Sequence, residues 1–188
     1  MRRVHVLSLV FLVLLGGCRK EYYVSPRGDD GSRGSKTDPW RTIQRGINSL
    51  RPGDVLYLDE GTYRESIVIR DKNGRPGEWI CLRGVPGARP VIDQSGTGDV
   101  SFEISNSSYI RLSGLELRNS PGTALLVNGC HDLHLTDLLI HHYLLYGIKV
   151  QAGHDIIISH NEIYGVKNGE RKRLGLGGVV LTGRYTYN

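Results

Sequence analysis

The chain has 188 residues, 39% of them hydrophobic, which is enough for one continuous core and leaves little for a second domain. Its 24 basic and 19 acidic residues give a net charge of +5, a mild excess that favours acidic partners weakly. With few aromatic residues and no basic helix, it argues against a nucleic-acid partner.

At the start, Arg2 and Arg3 precede an apolar stretch from Val4 to Leu15, which has the length of the hydrophobic part of an export signal. It is too short to span a bilayer comfortably. It ends in Leu15-Gly16-Gly17-Cys18, which resembles the bacterial lipobox. The resemblance implies cleavage before Cys18, lipidation of Cys18 and a mature protein anchored to a membrane of the cell envelope, on its periplasmic or cell-surface side. A plain secretory signal with an incidental Cys18 is the alternative. Removing residues 1–17 takes away Arg2 and Arg3 and leaves 22 basic against 19 acidic residues, a net of +3. Residues 18–36 are then expected to hold a tether and an N-terminal strand, and residues 37–188 the folded domain.

Thr37-Asp38-Pro39-Trp40, followed by residues 41–50, predicts a helix with Asp38 as N-cap and Pro39 in its first position. Trp40, Ile43, Ile47 and Leu50 form its apolar face. Short alternating strands follow, with apolar positions at Leu56 and Leu58, Ile67 and Ile69, Ile80 and Leu82, Val91, then Phe102 and Ile104.

Beyond these, three segments superimpose at an offset of 23 residues, beginning at Tyr109, Asp132 and Asp155. Inward positions are Ile110, Leu112, Leu115, Leu117, Leu125 and Val127 in one repeat, and Leu133, Leu135, Leu138, Ile140, Ile148 and Val150 in the next. The last repeat offers Ile156, Ile158, Asn161, Ile163, Val179 and Leu181. Apolar residues alternate at period two, and Gly, Asn, Asp or Ser punctuate the ends, so each repeat is three short strands. Three strands cannot bury their apolar face alone, whereas stacked coils share one cylindrical core. The expected architecture is all-β: a parallel β-helix of about five coils, with the helix at 39–50 as lid over its first coil. Only Arg-Tyr-Thr-Tyr-Asn follows Gly183, so the last coil is expected to be uncapped and open to end-to-end self-association. Of the other cysteines, Cys81 and Cys130 fall on different parts of the coil and read as two separate thiols.

The run from Tyr22-Tyr23-Val24-Ser25-Pro26 through Pro39-Trp40 to PGDVLYLDEGTYRESIVI at Pro52 resembles the start of bacterial pectate-lyase-like right-handed β-helix proteins, polysaccharide lyase family nine among them. The resemblance covers most of the chain from Glu21 onward. It implies a right-handed coil, an acidic polysaccharide such as pectate or alginate as partner, and β-elimination as the reaction. It is more specific for the fold than for an activity.

In that family an inward Asn marks the turn between the first two strands, and Asn161 matches it. The loop after Ile163 then borders the substrate groove, and the following strand forms the groove floor. Its outward residues are Glu103, Leu126, Lys149 and Val180, while an eight-residue insertion places Lys167, Arg171, Lys172 and Arg173 in the bordering loop. Cations one or two coil rises of ~4.8 Å apart suit a polyuronate, whose carboxylates repeat along the chain. Elimination needs a base and a positive group facing the enolate-like charge. Lys149 is the candidate base and Arg171 or Arg173 the charge stabiliser, with Lys167, Lys172, Glu103 and His141 as candidate substrate-binding groups. A solvated lysine beside an exposed basic loop is the simpler alternative.

Family-nine lyases hold calcium among clustered aspartates, but Asp132, Asp137 and Asp155 are spread over separate coils here, so a calcium site is only a possibility. His131-Asp132 and His154-Asp155 recur one coil apart, without a third converging ligand that would make a transition-metal site. Asp137 below His160 is a further candidate acid/base pair. Two function classes therefore stand: a polysaccharide lyase, and a non-catalytic glycan-binding or adhesion β-helix.

Overall fold

A computed structural model describes residues 20–96, 98–165 and 177–182. Among these, β-strands wind into parallel coils around one apolar core, as the repeat predicts. Strands β1 (Glu21–Val24), β2 (Val55–Leu58), β3 (Thr62–Tyr63), β4 (Ile67–Arg70), β5 (Ile80–Gly84), β6 (Val91–Asp93) and β7 (Phe102–Ser105) build the early coils. The later coils come from β8 (Ser108–Ser113), β9 (Glu116–Arg118), β10 (Leu125–Thr136), β11 (Leu139–His141), β12 (Tyr146–Ser159), β13 (Glu162–Tyr164) and β14 (Gly177–Thr182).

The strands stack in three rows, all parallel. The first row is β4, β7, the starts of β10 and β12, and β14. The second is β1, β2, β5, β8 and the ends of β10 and β12. The third is β3, β6, β9, β11 and β13. Rows one and two join because β10 and β12 continue around a corner. Left-handed residues make that corner and the next one, and they recur in columns: Asn106, Gly129 and Ala152; Tyr109, Asp132 and Asp155; Gly114, Asp137 and His160. Asp137 and His160 thus share a backbone conformation at a tight turn.

Every inward position expected in the first two repeats is buried. In the last repeat Ile156, Ile158 and Ile163 are partly buried against the core, and Val179 and Leu181 are 44% and 55% exposed. In the early coils Ile92, not Val91, points inward, and it is fully buried. Asn161 takes its inward turn seat with the Leu138 N–H donating to its Oδ1 at 2.8 Å and its Nδ2 donating to the Leu135 carbonyl at 2.8 Å. Cys81 and Cys130 fall on separate coils and are not bridged to each other, as expected.

Helix α1 (Ile43–Ser49) lies at the first coil and buries Ile43, Gly46 and Ile47. A Cβ on Gly46 would come within 2.6 Å of a Leu56 methyl, so only glycine lets the helix lie this close to the core. The N-cap is Thr42, not Asp38, and the helix starts at Ile43. The reason is that the preceding residues are already paired: Ser35 and Asp38 exchange backbone hydrogen bonds, and Trp40 bonds to Tyr23 and Ser25 as a short continuation of the coil. Asp30 and Glu65 complete the helix start. Asp30 accepts from the Arg41 and Thr42 N–H groups, and Glu65 accepts from those of Ile43 (2.9 Å) and Gln44 (3.0 Å).

Candidate functional site

The outward face of the first row is the expected groove floor. Its register runs Glu103, Leu126, Lys149, Val180, the four side chains that the alternation in the sequence puts in one column, and the structure adds Val68 before them. Lys149 is half-buried, and its Nζ lies 5.3 Å from the Tyr146 ring centroid. Glu103 lies two rungs away, beyond Leu126. An Arg70 guanidinium pairs with it at 3.0 Å. A Ser105 hydroxyl hydrogen bond, together with Arg70, holds the Glu103 carboxyl below its ordinary range against the effect of burial. Glu103 is therefore a fixed anion within the floor. Lys167, Arg171, Lys172, Arg173 and Cys18 lie outside the described residues.

His141 stands elsewhere, on the outer face of the third row. Its Nε2 is 3.1 Å from a Glu116 carboxylate oxygen, its Nδ1 contacts that of His142, and its ring stacks on Tyr164 at 5.2 Å. The same face carries Arg118, which lies 3.4 Å from both Asp93 and Glu116. Burial pushes the Asp93 carboxyl up, but hydrogen bonds from Asn119 and Ser95 and the Arg118 charge outweigh it and bring it to about 2. This is a network of ion pairs and polar contacts along three rungs, with His141 at its upper end.

On the corner between the first and second rows, His131 and His154 stack with centroids 5.0 Å apart and planes 3° from parallel. Each Nδ1 is 2.8 Å from the carboxylate of the next residue, Asp132 or Asp155. The Asp–His repeat is therefore a pair of local contacts at left-handed turn residues. Among the described residues, no three His, Cys, Asp or Glu side chains converge where a metal ion would sit. Calcium needs six to eight oxygens, so these donors do not fit it.

Residues that the repeat did not single out form a further cluster on the second row. Trp79 sits edge-on to Tyr109 (5.4 Å, 79°) and tilts over His134 at 4.5 Å, and the Arg111 guanidinium carbon lies 4.4 Å from the Trp79 ring. Arg111 and His134 are register partners, which the 23-residue offset already held. Trp79 escaped because Ile80 pairs with Ile110, 30 residues on, in a longer coil.

The comparisons with known proteins agree with this architecture. A pectate disaccharide-lyase of Dickeya chrysanthemi is 28% identical over 148 residues, 77% of this chain and 18% of the relative. Pectate lyase PEL9 of Emericella nidulans is 26% identical over 149 residues, 76% of this chain and 35% of the relative. The chain spans about a fifth to a third of the length of the curated relatives it matches. The crystal structure of pectate lyase Pel9A superimposes with a TM-score of 0.62 at 20% identity, over 72% of this chain and 39% of that one, which speaks to the fold alone. The family model described as the Pel9A-like, right-handed β-helix region matches residues 22–170. Three rows of parallel strands, an N-terminal capping helix and a match over most of the sequence place the chain in the Pel9A-like right-handed β-helix family.

Proposed function

We propose that this chain is part of an exported protein that acts on an acidic polysaccharide along the first strand row, as a polyuronate lyase. The observation that carries the reading is Lys149, an amine side chain set in the middle of an outward column between Leu126 and Val180. The matched pectate lyases support the choice of substrate class. In the reaction, the Lys149 amine takes the C5 proton of a uronosyl unit. The electron pair forms the C4=C5 double bond, and the C4–O glycosidic bond breaks, its oxygen leaving with the departing sugar. Arg171 or Arg173 faces the carboxylate as negative charge builds up, and Lys167, Lys172 and Glu103 contact the chain of sugars, whereas His141, on the third row, takes no part. Cys18 is the lipid anchor that holds the protein at the membrane.

A second reading, glycan binding without turnover, is favoured by the apolar flanks of Lys149 and by the pairing of Glu103 with Arg70. One experiment separates the two: incubation with polygalacturonate and with alginate, with and without calcium, following the unsaturated product in the ultraviolet. The lyase reading expects a rising absorbance that Lys149→Ala abolishes. Glycan retention with flat absorbance leaves the binding reading, and a rise unchanged in Lys149→Ala removes Lys149 from the base role.

A further inference from the structure

A hollow lies on a row that the proposed reaction does not use. A depression of ≈ 260 Å³ lies on the outer face of the second row, lined by Gly53, Val55, Gly77, Trp79, Cys81 and Arg111. We infer that it is a binding site for a single uronosyl unit, with the Arg111 guanidinium taking the carboxylate and the Trp79 indole facing the apolar side of the sugar ring.

Four observations support this. The first is charge: Arg111 is exposed and makes no ion pair among the described residues, and no acidic side chain lines the depression. One guanidinium in an otherwise uncharged hollow matches a monoanion, and its planar fork suits a carboxylate. The second is orientation, because Tyr109 and His134 hold the indole at 5.4 and 4.5 Å and so present a pre-set wall. Burial and the Arg111 charge push the His134 imidazole below its ordinary range, so it adds no second cation near neutral pH.

The third is access. Gly77, at φ 80°, has nothing within 4 Å of the place a Cβ would occupy, so this part of the rim is open. The fourth is size: pockets for drug-sized ligands run from about 300 to 1,000 Å³, and a hollow just below that range takes one sugar ring and not an oligomer. Lys149 belongs to the first row, around the corner formed at Gly129 and Asp132, so the two sites face different directions. A long polyuronate held here would be retained by the coil independently of the reaction.

The chain's two tryptophans make the test direct, since Trp40 is 3% exposed beneath the cap while Trp79 walls the site. Trigalacturonate is titrated into the full chain carrying Lys149→Ala, with a flat ultraviolet absorbance checking that no product forms, and tryptophan emission is followed. The expected result is a saturable emission change, at least tenfold weaker in affinity when Arg111→Ala is added and weakened likewise when the trisaccharide is fully methyl-esterified. Far-ultraviolet circular dichroism confirms that the exposed Arg111 substitution leaves the coil folded. A flat titration, or an affinity indifferent to both Arg111→Ala and esterification, overturns the site. Because the readout is binding in the Lys149→Ala background, it stands or falls separately from the lyase reading.

Discussion

The Gln44 side chain pairs with the Val68 backbone in both directions: its Oε1 accepts from the Val68 N–H at 2.8 Å and its Nε2 donates to the Val68 carbonyl at 3.0 Å. Strand β4 is the first of its row and has β7 on one side only. One amide from the capping helix therefore does what a peptide group of a preceding strand would do, and it blunts an edge that would otherwise be open. Glu65, from the same coil, accepts the Gln44 N–H, so helix and coil are tied at both ends of one residue.

Gln44→Ala leaves a half-buried N–H and C=O on Val68 without that partner. A loss of about 1–3 kcal/mol follows, measured as a lower denaturant midpoint in urea unfolding. Gln44→Glu restores one bond only and sets a second carboxylate beside Glu65. It should recover no more than a part of the loss.

Asp93 ties stability to acid pH. Its carboxyl is held at about 2, below its ordinary value near 3.8, so its contribution is complete above the unfolded value and is lost as pH falls toward the folded one. Asp93→Asn should cost on the order of 1 kcal/mol at neutral pH, a figure reduced for solvent screening at the edge of the Arg118 pair. Melting curves of the two proteins should converge between about pH 4 and pH 2, and a gap that persists unchanged at pH 2 would refute this account.

Ala152 has φ 52°, in a column whose neighbours are Asn106 and Gly129. The left-handed region costs an L-residue roughly 1–2 kcal/mol, and glycine's extra unfolded-state entropy returns about 0.5–1 of it. Ala152→Gly at this exposed turn should raise stability by about 0.5 kcal/mol, seen as an increase of about 1–2 °C in the melting temperature. A decrease would show that the turn carries no strain.

The sequence by itself determined the coil. Partners in the later rungs sit 23 residues apart, as Ile110, Leu133 and Ile156 do, because a parallel stack requires the same inward seat to recur each time the chain comes round. Lys149 and Glu103 were legible in their column for the same reason: period two assigns a face once the register is known. Tertiary structure decided the rest. Among the early coils, paired residues lie 34 apart at Tyr22 and Leu56, 26 at Leu56 and Leu82, and 30 at Ile80 and Ile110, since loops outside the core lengthen freely while the strands keep their register. No fixed offset therefore brings Trp79 to Arg111, Gln44 to Val68 or Asp93 to Arg118. The start of α1 moved to Thr42 because Asp38 and Trp40 were paired before the helix could use them. Local propensity proposes where a helix begins, and the backbone hydrogen bonds that the coil demands first decide what is left for it.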